Sequence, residues 1–252
     1  MSYKASNLHF DSHCFFGVEG GVSQGKYASL NTNLNSQDSK SNVERNFAII
    51  ADHFGVPKNN MVALCQSISN KAVFLTEPSW MEIAADGCVT TNPQLLLGIK
   101  TADCAPVLFA DCKNGVIGAA HAGWRGAYRG IVENVVHLML EHGAELRQIS
   151  AAIGPCMQKD SFVAKDDMRD VFLKLSDNNR KYFTPKNERE YLFDLSGYIE
   201  EKLRKLGIKN IENSRIDTYP PANGYFSYRR YTHMNLISQQ YDYPTQYSCI
   251  KL

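Results

Sequence analysis

The sequence predicts a layered α/β or α+β domain with a mixed β-sheet, and three observations carry that expectation. Strand-like and helix-like segments alternate along the 252 residues, a β-hairpin is written into residues 105–120, and no repeat, low-complexity tract or Pro/Ser-rich linker divides the chain. The length suffices for one well-buried core, so residues 1–252 are read as a single domain.

The elements follow in order. The segment through Gly25, rich in Phe and Gly, reads as short strands, and a polar Asn/Ser-rich loop runs from Ser29 to Ser41. Val43, Phe47, Ile50 and Phe54 then recur at helical spacing, and Gly55-Val56-Pro57 ends that helix. Met61–Gln66 and Ala72–Leu75 read as strands, and Ala85-Asp86-Gly87 as a turn into Val89-Thr90. Ala105–Ala110 and Val116–Ala120 are apolar runs around Asp111–Asn114 and Gly115, the pattern of a hairpin. A helix over Gly130–His142 carries Ile131, Val135, Leu138 and Met139 on one face and stops at Gly143. Ile149–Ile153 reads as a strand, Lys165–Leu175 and Ser196–Leu206 as helices, and Tyr225–Arg230 as a strand.

Composition excludes several function classes. A formal net charge of +1 gives no global field for nucleic acid or an anionic membrane. The seven cysteines (Cys14, Cys65, Cys88, Cys104, Cys112, Cys156 and Cys249) are odd in number and include no Cys-x-x-Cys pair, so reduced thiols are expected rather than a disulfide framework or zinc ribbon. The N-terminus lacks the apolar core of a signal peptide and no stretch reaches the roughly 20 apolar residues of a membrane span, which predicts a cytoplasmic protein.

The chemistry concentrates between Thr101 and Gly126. With Asp111–Asn114 as the loop, strand pairing places Cys104 opposite His121, so that a thiol and an imidazole meet. Such a pair has three readings: two ligands of a transition metal, a thiolate–imidazolium catalytic pair, or a structural contact. Asp103, adjacent to Cys104, points to the other face if the strand persists, and so orients or turns rather than ligates. Arg125 lies between glycines where the chain enters a helix, a context that lets a phosphate approach free N–H groups and a guanidinium; a surface Arg is the bland alternative. Tyr228, Arg229 and Arg230 offer a stacking ring and further cations, although Arg-rich strand ends are commonly just solvated.

Thr101-Ala102-Asp103-Cys104 and His121-Ala122-Gly123-Trp124-Arg125-Gly126 resemble the two signature motifs of the YfiH / laccase-domain family. Ser29-Leu30-Asn31, Val43 to Asn46, Gln66, Asp86-Gly87 to Thr90, Gly154-Pro155-Cys156 and Ser227-Tyr228-Arg229-Arg230 stand in the order of its other landmarks, so the resemblance spans nearly the whole chain. It implies a single-domain layered sandwich with mixed β-sheets between helices. It also implies a zinc site, copper in older descriptions, made from two His and one Cys, with Cys104 and His121 as two of its ligands. The implied activities are phosphorolysis of adenosine, inosine and methylthioadenosine, and deamination of adenosine. Purine nucleoside and phosphate are then the partners of a monomer or homodimer, with Cys104, His121, Arg125 and Asp103 as catalytic candidates and Asn31, Gln66, Arg125, Tyr228 and Arg229 as substrate-binding ones.

Three departures fall on functional positions. Ile68 occupies the family's Gln-x-His ligand position, Asn35 stands about where a His follows Ser-Leu-Asn, and Ser-Tyr-Arg-Arg continues into Tyr231-Thr232 rather than the usual Asp and downstream Gly-Arg. Losing one of three ligands should weaken metal binding severely, since changes to groups that merely hold ligands typically cost about 10–100-fold in affinity. Cys65, three residues from Ile68, would face the opposite way on a strand. The leading expectation is a purine nucleoside phosphorylase with adenosine deaminase activity. The alternatives are a metal-free Cys–His hydrolase or deamidase, and a catalytically dead nucleoside-binding protein. A copper polyphenol oxidase ranks last, because the seven His include no His-x-His pair.

Overall fold

Two six-stranded mixed sheets lie face to face with helices on both outer sides, in a computed structural model that describes residues 2–9 and 11–252. In chain order the strands are β1 (Ser2–Tyr3), β2 (His13–Phe16), β3 (Met61–Cys65), β4 (Ala72–Phe74), β5 (Trp80–Ala84), β6 (Gly87–Thr90), β7 (Leu96–Thr101), β8 (Ala105–Asp111) and β9 (Val116–Ala122). They continue as β10 (Ser150–Ile153), β11 (Val163–Lys165), β12 (Phe183–Pro185), β13 (Glu190–Phe193), β14 (Asn210–Asn213) and β15 (Gln246–Ile250). The helices are α1 (Lys40–His53), α2 (Trp124–Arg129), α3 (Ile131–Glu141), α4 (Asp166–Leu175), α5 (Leu195–Leu206) and α6 (Tyr228–His233). The first sheet runs β1-β2-β15-β7-β3-β5, the second β14-β10-β8-β9-β6-β4, and β11-β13-β12 form a small third sheet. Parallel pairs (β3 with β5 and β7, β10 with β14, β4 with β6) make both large sheets mixed. Among the described residues no helix is long and apolar enough to cross a membrane.

Strand alternation builds the layers. In β8, Ala105, Val107 and Phe109 face the helices, while Leu108 and Ala110 face the first sheet beside Val62, Leu97 and Ile250. Helix α1 covers the far side of the first sheet with Val43, Phe47, Ile50 and Ala51. Helix α3 covers the second with Ile131, Val132, Val135, Val136 and Met139, each of the larger side chains contributing about 1.5–3 kcal/mol of burial.

One expectation is corrected here. The segment Tyr225–Arg230 is not a strand: the Ser227 hydroxyl accepts from the Arg230 N–H and starts helix α6. Gly130, at φ 94°, ends α2 and begins α3, which sets the short helix after the hairpin apart from the longer one.

Candidate functional site

The hairpin β8–β9 sets the geometry, with a register two residues from the expected one. Pro106 pairs with His121 and Ala105 with Ala122, so Cys104 lies across from Gly123. Asp111 is the cause: it stays in the strand opposite Val116, and its carboxylate accepts from Asn114 N (3.0 Å) and Nδ2 (2.8 Å), moving the turn to Cys112–Gly115. The shift is even, so Cys104 and His121 keep a common face as diagonal neighbours, with the sulfur close enough to the imidazole to act on its charge. Gly123 leaves the space for this, since a Cβ there would lie 2.8 Å from Cys104 Sγ.

Behind the imidazole stands Asp86, whose sequence context, Ala85-Asp86-Gly87, signals only a turn. His121 Nδ1 donates to Asp86 Oδ1 at 2.7 Å, and the His121 N–H donates to the Asp86 carbonyl at 2.7 Å. Asp86 is fully buried and also accepts from the N–H groups of Ser67, Ile68 and Ser69 and from the Ser69 hydroxyl. Burial opposes its charge, but His121 and Ser69 outweigh it and hold the carboxyl below the usual range. Burial likewise opposes charge on His121, and the Cys104 sulfur and Asp86 together push that imidazole up. Thiol, imidazole and carboxylate therefore stand in one row, its inner link a hydrogen bond from His121 to Asp86.

Cys104 is part-exposed and opens onto a cavity of about 650 Å³. Trp124, Met157, Phe162 and Met168 give it apolar walls, and Tyr228 and Arg229 stand on its polar side. A cavity of about 730 Å³, lined by Ala110, Cys112 and Ile117, opens at the other end of β8 and β9, away from the thiol–imidazole pair.

Asp103, at φ 88°, turns the chain just before Cys104. Its buried carboxylate accepts from Thr218 Oγ1 and from Arg229 N, both at 2.7 Å, so it pins the start of α6 to the backbone beside the thiol. Burial raises its pKa against these donors. Tyr228 is exposed and meets Tyr243 edge-on, with ring centroids 4.8 Å apart. The Arg229 guanidinium makes long contacts, 3.5 Å, to the Val163 carbonyl. Arg125 lies over the Trp124 ring, 4.0 Å from its centroid, and is not on the wall of the Cys104 cavity. Arg230 donates to the carbonyls of Thr218, Tyr219 and Tyr225.

Asn31 and Gln66 spend their amides inside the fold. Asn31 accepts from Asn33 N and Thr245 N and donates to Ser36 and Asp38. Gln66 donates to the Lys100 carbonyl (2.7 Å) and accepts from its N–H (2.9 Å), prolonging the β3–β7 ladder with a side chain.

Ile68 is 45% exposed and holds φ 60°, a conformation unusual for a β-branched residue. Cys104 and His121 supply two donors, Ile68 supplies none, and no group of three His, Cys, Asp or Glu suited to a metal occurs among the described residues. The donor set falls short of the three protein ligands of a zinc site.

The chain is similar to known proteins over most of its length. The pattern of the family described as multi-copper polyphenol oxidoreductase laccase matches residues 12–237. Purine nucleoside phosphorylase RP494 of Rickettsia prowazekii is 35% identical over 212 residues, 84% of this chain and 85% of that protein. The purine nucleoside phosphorylase of Haemophilus influenzae is 32% identical over 227 residues, 89% and 91% of the two chains. Among solved structures, Bacillus licheniformis YfiH superposes with a TM-score of 0.86 at 28% identity, covering 95% of this chain and 92% of that one. YlmD of Geobacillus stearothermophilus gives a TM-score of 0.83 at 25% identity, covering 95% and 90%. With the signature hairpin, the sheet sandwich and matches over most of its length, the chain belongs to the YfiH family of multi-copper polyphenol oxidoreductase laccase domains.

Proposed function

We propose that the chain is a purine nucleoside phosphorylase acting at the Cys104 cavity. The observation that carries this reading is the cavity itself: an accessible Cys104 at one side, Arg229 at another, and apolar walls between them sized for a nucleoside. The names of the relatives agree with it. In phosphorolysis a phosphate oxygen attacks C1′ of the ribose, the C1′–N9 bond breaks, and the departing purine takes a proton. Arg229 presents a fork-shaped cation for the phosphate. Trp124 and Phe162 give the purine an apolar wall, and Cys104 faces it with a donor whose hydrogen is relayed from His121. Asp86 acts only through His121, fixing its tautomer and orientation. Adenosine, inosine and methylthioadenosine are the proposed nucleosides, with adenosine deamination as a second activity. The two donors present do not complete a zinc or copper site, and no step is assigned to a metal.

Incubation with inosine and phosphate tests the reading. Hypoxanthine and ribose 1-phosphate should form in equal amounts and only when phosphate is present. Absence of phosphate-dependent base release from all three nucleosides would overturn it. The donor shortfall at Ile68 favours a second reading, a nucleoside-binding protein without turnover, for which inosine would raise the melting temperature while no product forms.

A further inference from the structure

We propose that Cys104 is a covalent nucleophile toward the electrophilic C6 of a purine nucleoside, so that deamination at this site proceeds through a thioether to the chain and needs no resident metal. The inference rests on the reading that the Cys104 cavity takes a purine nucleoside.

Four features point to it. Cys104 is the cysteine that lines this cavity besides being part-exposed, whereas Cys14, Cys88, Cys156 and Cys249 are buried, and Cys65 and Cys112 are exposed elsewhere. Its sulfur lies against His121, in space that Gly123 leaves open. His121 is anchored twice to Asp86, by ring and by backbone, and Asp86 is anchored by three further N–H groups and a hydroxyl, so the imidazole is held with one edge toward the thiol. Ile68 removes the third donor that a metal-centred alternative would need. A nucleophile, a base within reach and a third group that orients the base are the parts covalent catalysis uses.

The chemistry balances without an oxidant or reductant. The sulfur adds to C6 as its proton passes to His121, and the ring nitrogen beside C6 takes the electron pair. Return of that pair breaks the C6–N6 bond, and ammonia departs with the proton from His121, leaving a C6–S thioether. Water then adds at C6, giving a proton to His121. The C6–S bond breaks and the sulfur recovers that proton. The sum is adenosine plus water to inosine plus ammonia.

The probe is 6-chloropurine riboside, in which chloride takes the place of the amine and its loss makes the thioether permanent. The full chain carrying Cys65→Ser and Cys112→Ser, freed of metal by a chelator, is incubated with it and weighed by intact-mass spectrometry. One purine riboside per chain, without chlorine, should map to Cys104, and adenosine should protect against it. Asp86→Asn should slow the labelling at least tenfold, and His121→Ala should slow it further; circular dichroism of each variant checks that it is folded. No adduct on Cys104, or an adduct formed no faster than with free glutathione, overturns the inference. So does adenosine deamination that is lost on chelation and restored by zinc. Phosphorolysis of inosine is assayed alongside: phosphorolysis without the adduct leaves the proposed function standing and sinks this inference, whereas the adduct with deamination but no phosphorolysis supports the inference and sinks that function.

Discussion

Asp86 Oδ1 accepts from His121 Nδ1 at 2.7 Å while the same carboxylate holds the backbone N–H groups of Ser67, Ile68 and Ser69. One buried side chain thus sets both the imidazole and the loop around Ile68. Asp86→Asn turns an NH₂ toward donors that need an acceptor, and should cost on the order of 3 kcal/mol in urea unfolding. Phosphorolysis should lose kcat at least tenfold with a smaller change in KM for nucleoside, because Asp86 does not reach the cavity.

At Ile68 the backbone and the side chain disagree. A β-branched residue at φ 60° is strained by about 1–2 kcal/mol, and the exposed side chain recovers little of that by packing. Ile68→Gly should therefore stabilise the chain by about 1 kcal/mol, read as a raised melting temperature. Ile68→His adds an imidazole on the loop next to the site, and His tolerates this backbone region better than Ile. Zinc titration should show affinity increased by roughly tenfold or more; unchanged affinity would place the loop outside ligating reach.

Arg229 and Arg125 are predicted to separate. Arg229 stands on the cavity wall, over the Phe162 ring and with long hydrogen bonds to Val163, so Arg229→Ala should raise the KM for phosphate by about tenfold or more, the loss of one charge-assisted hydrogen bond. Arg125, stacked on Trp124 away from that wall, should give a smaller effect. Equal losses from both would move the phosphate toward α2.

What the sequence disclosed depended on whether the signal was local. Helices α1 and α3 are legible because Val43, Phe47 and Ile50, and Ile131, Val135 and Met139, recur at the helical period. The meeting of Cys104 and His121 is legible too, although Asp111 serves at once as strand residue and turn acceptor and so displaces the register. Strands β7 and β15 escaped because Leu96–Ile99 and Tyr247–Ile250 are buried on both faces and lose the alternation that betrays a half-exposed strand. Tyr225–Arg230 misled because aromatic content outweighed the Ser227 cap. Asp86 stayed hidden because its role depends on His121, 35 residues later.

Lys100 supplies a prediction about pH. It is largely buried in β7, its amine touches Met81 Sδ at 3.0 Å, and burial pushes its pKa down to about 8. Below pH 8 both folded and unfolded chains carry the charge, and the folded state bears the full desolvation penalty. As pH rises from about 8 toward the ordinary 10.5 the folded chain releases its proton first and the penalty is relieved. Urea midpoints should thus climb with pH across that window relative to Lys100→Met, which should be more stable at pH 7 by on the order of 2 kcal/mol. Parallel pH profiles for the two proteins would show that Lys100 keeps its charge in solvent.

The β8–β9 ladder carries a parity rule for how this family can drift. Side chains alternate, so sliding one strand past the other by two residues returns every group to the face it had, while sliding by one reverses them all. His121 now shares its face with Ile117 and Ala119, toward the first sheet; a single-residue slip would bury it among the helices with Val116 and Ala120. An even change of register in this hairpin therefore keeps thiol and imidazole on one face, and an odd one parts them.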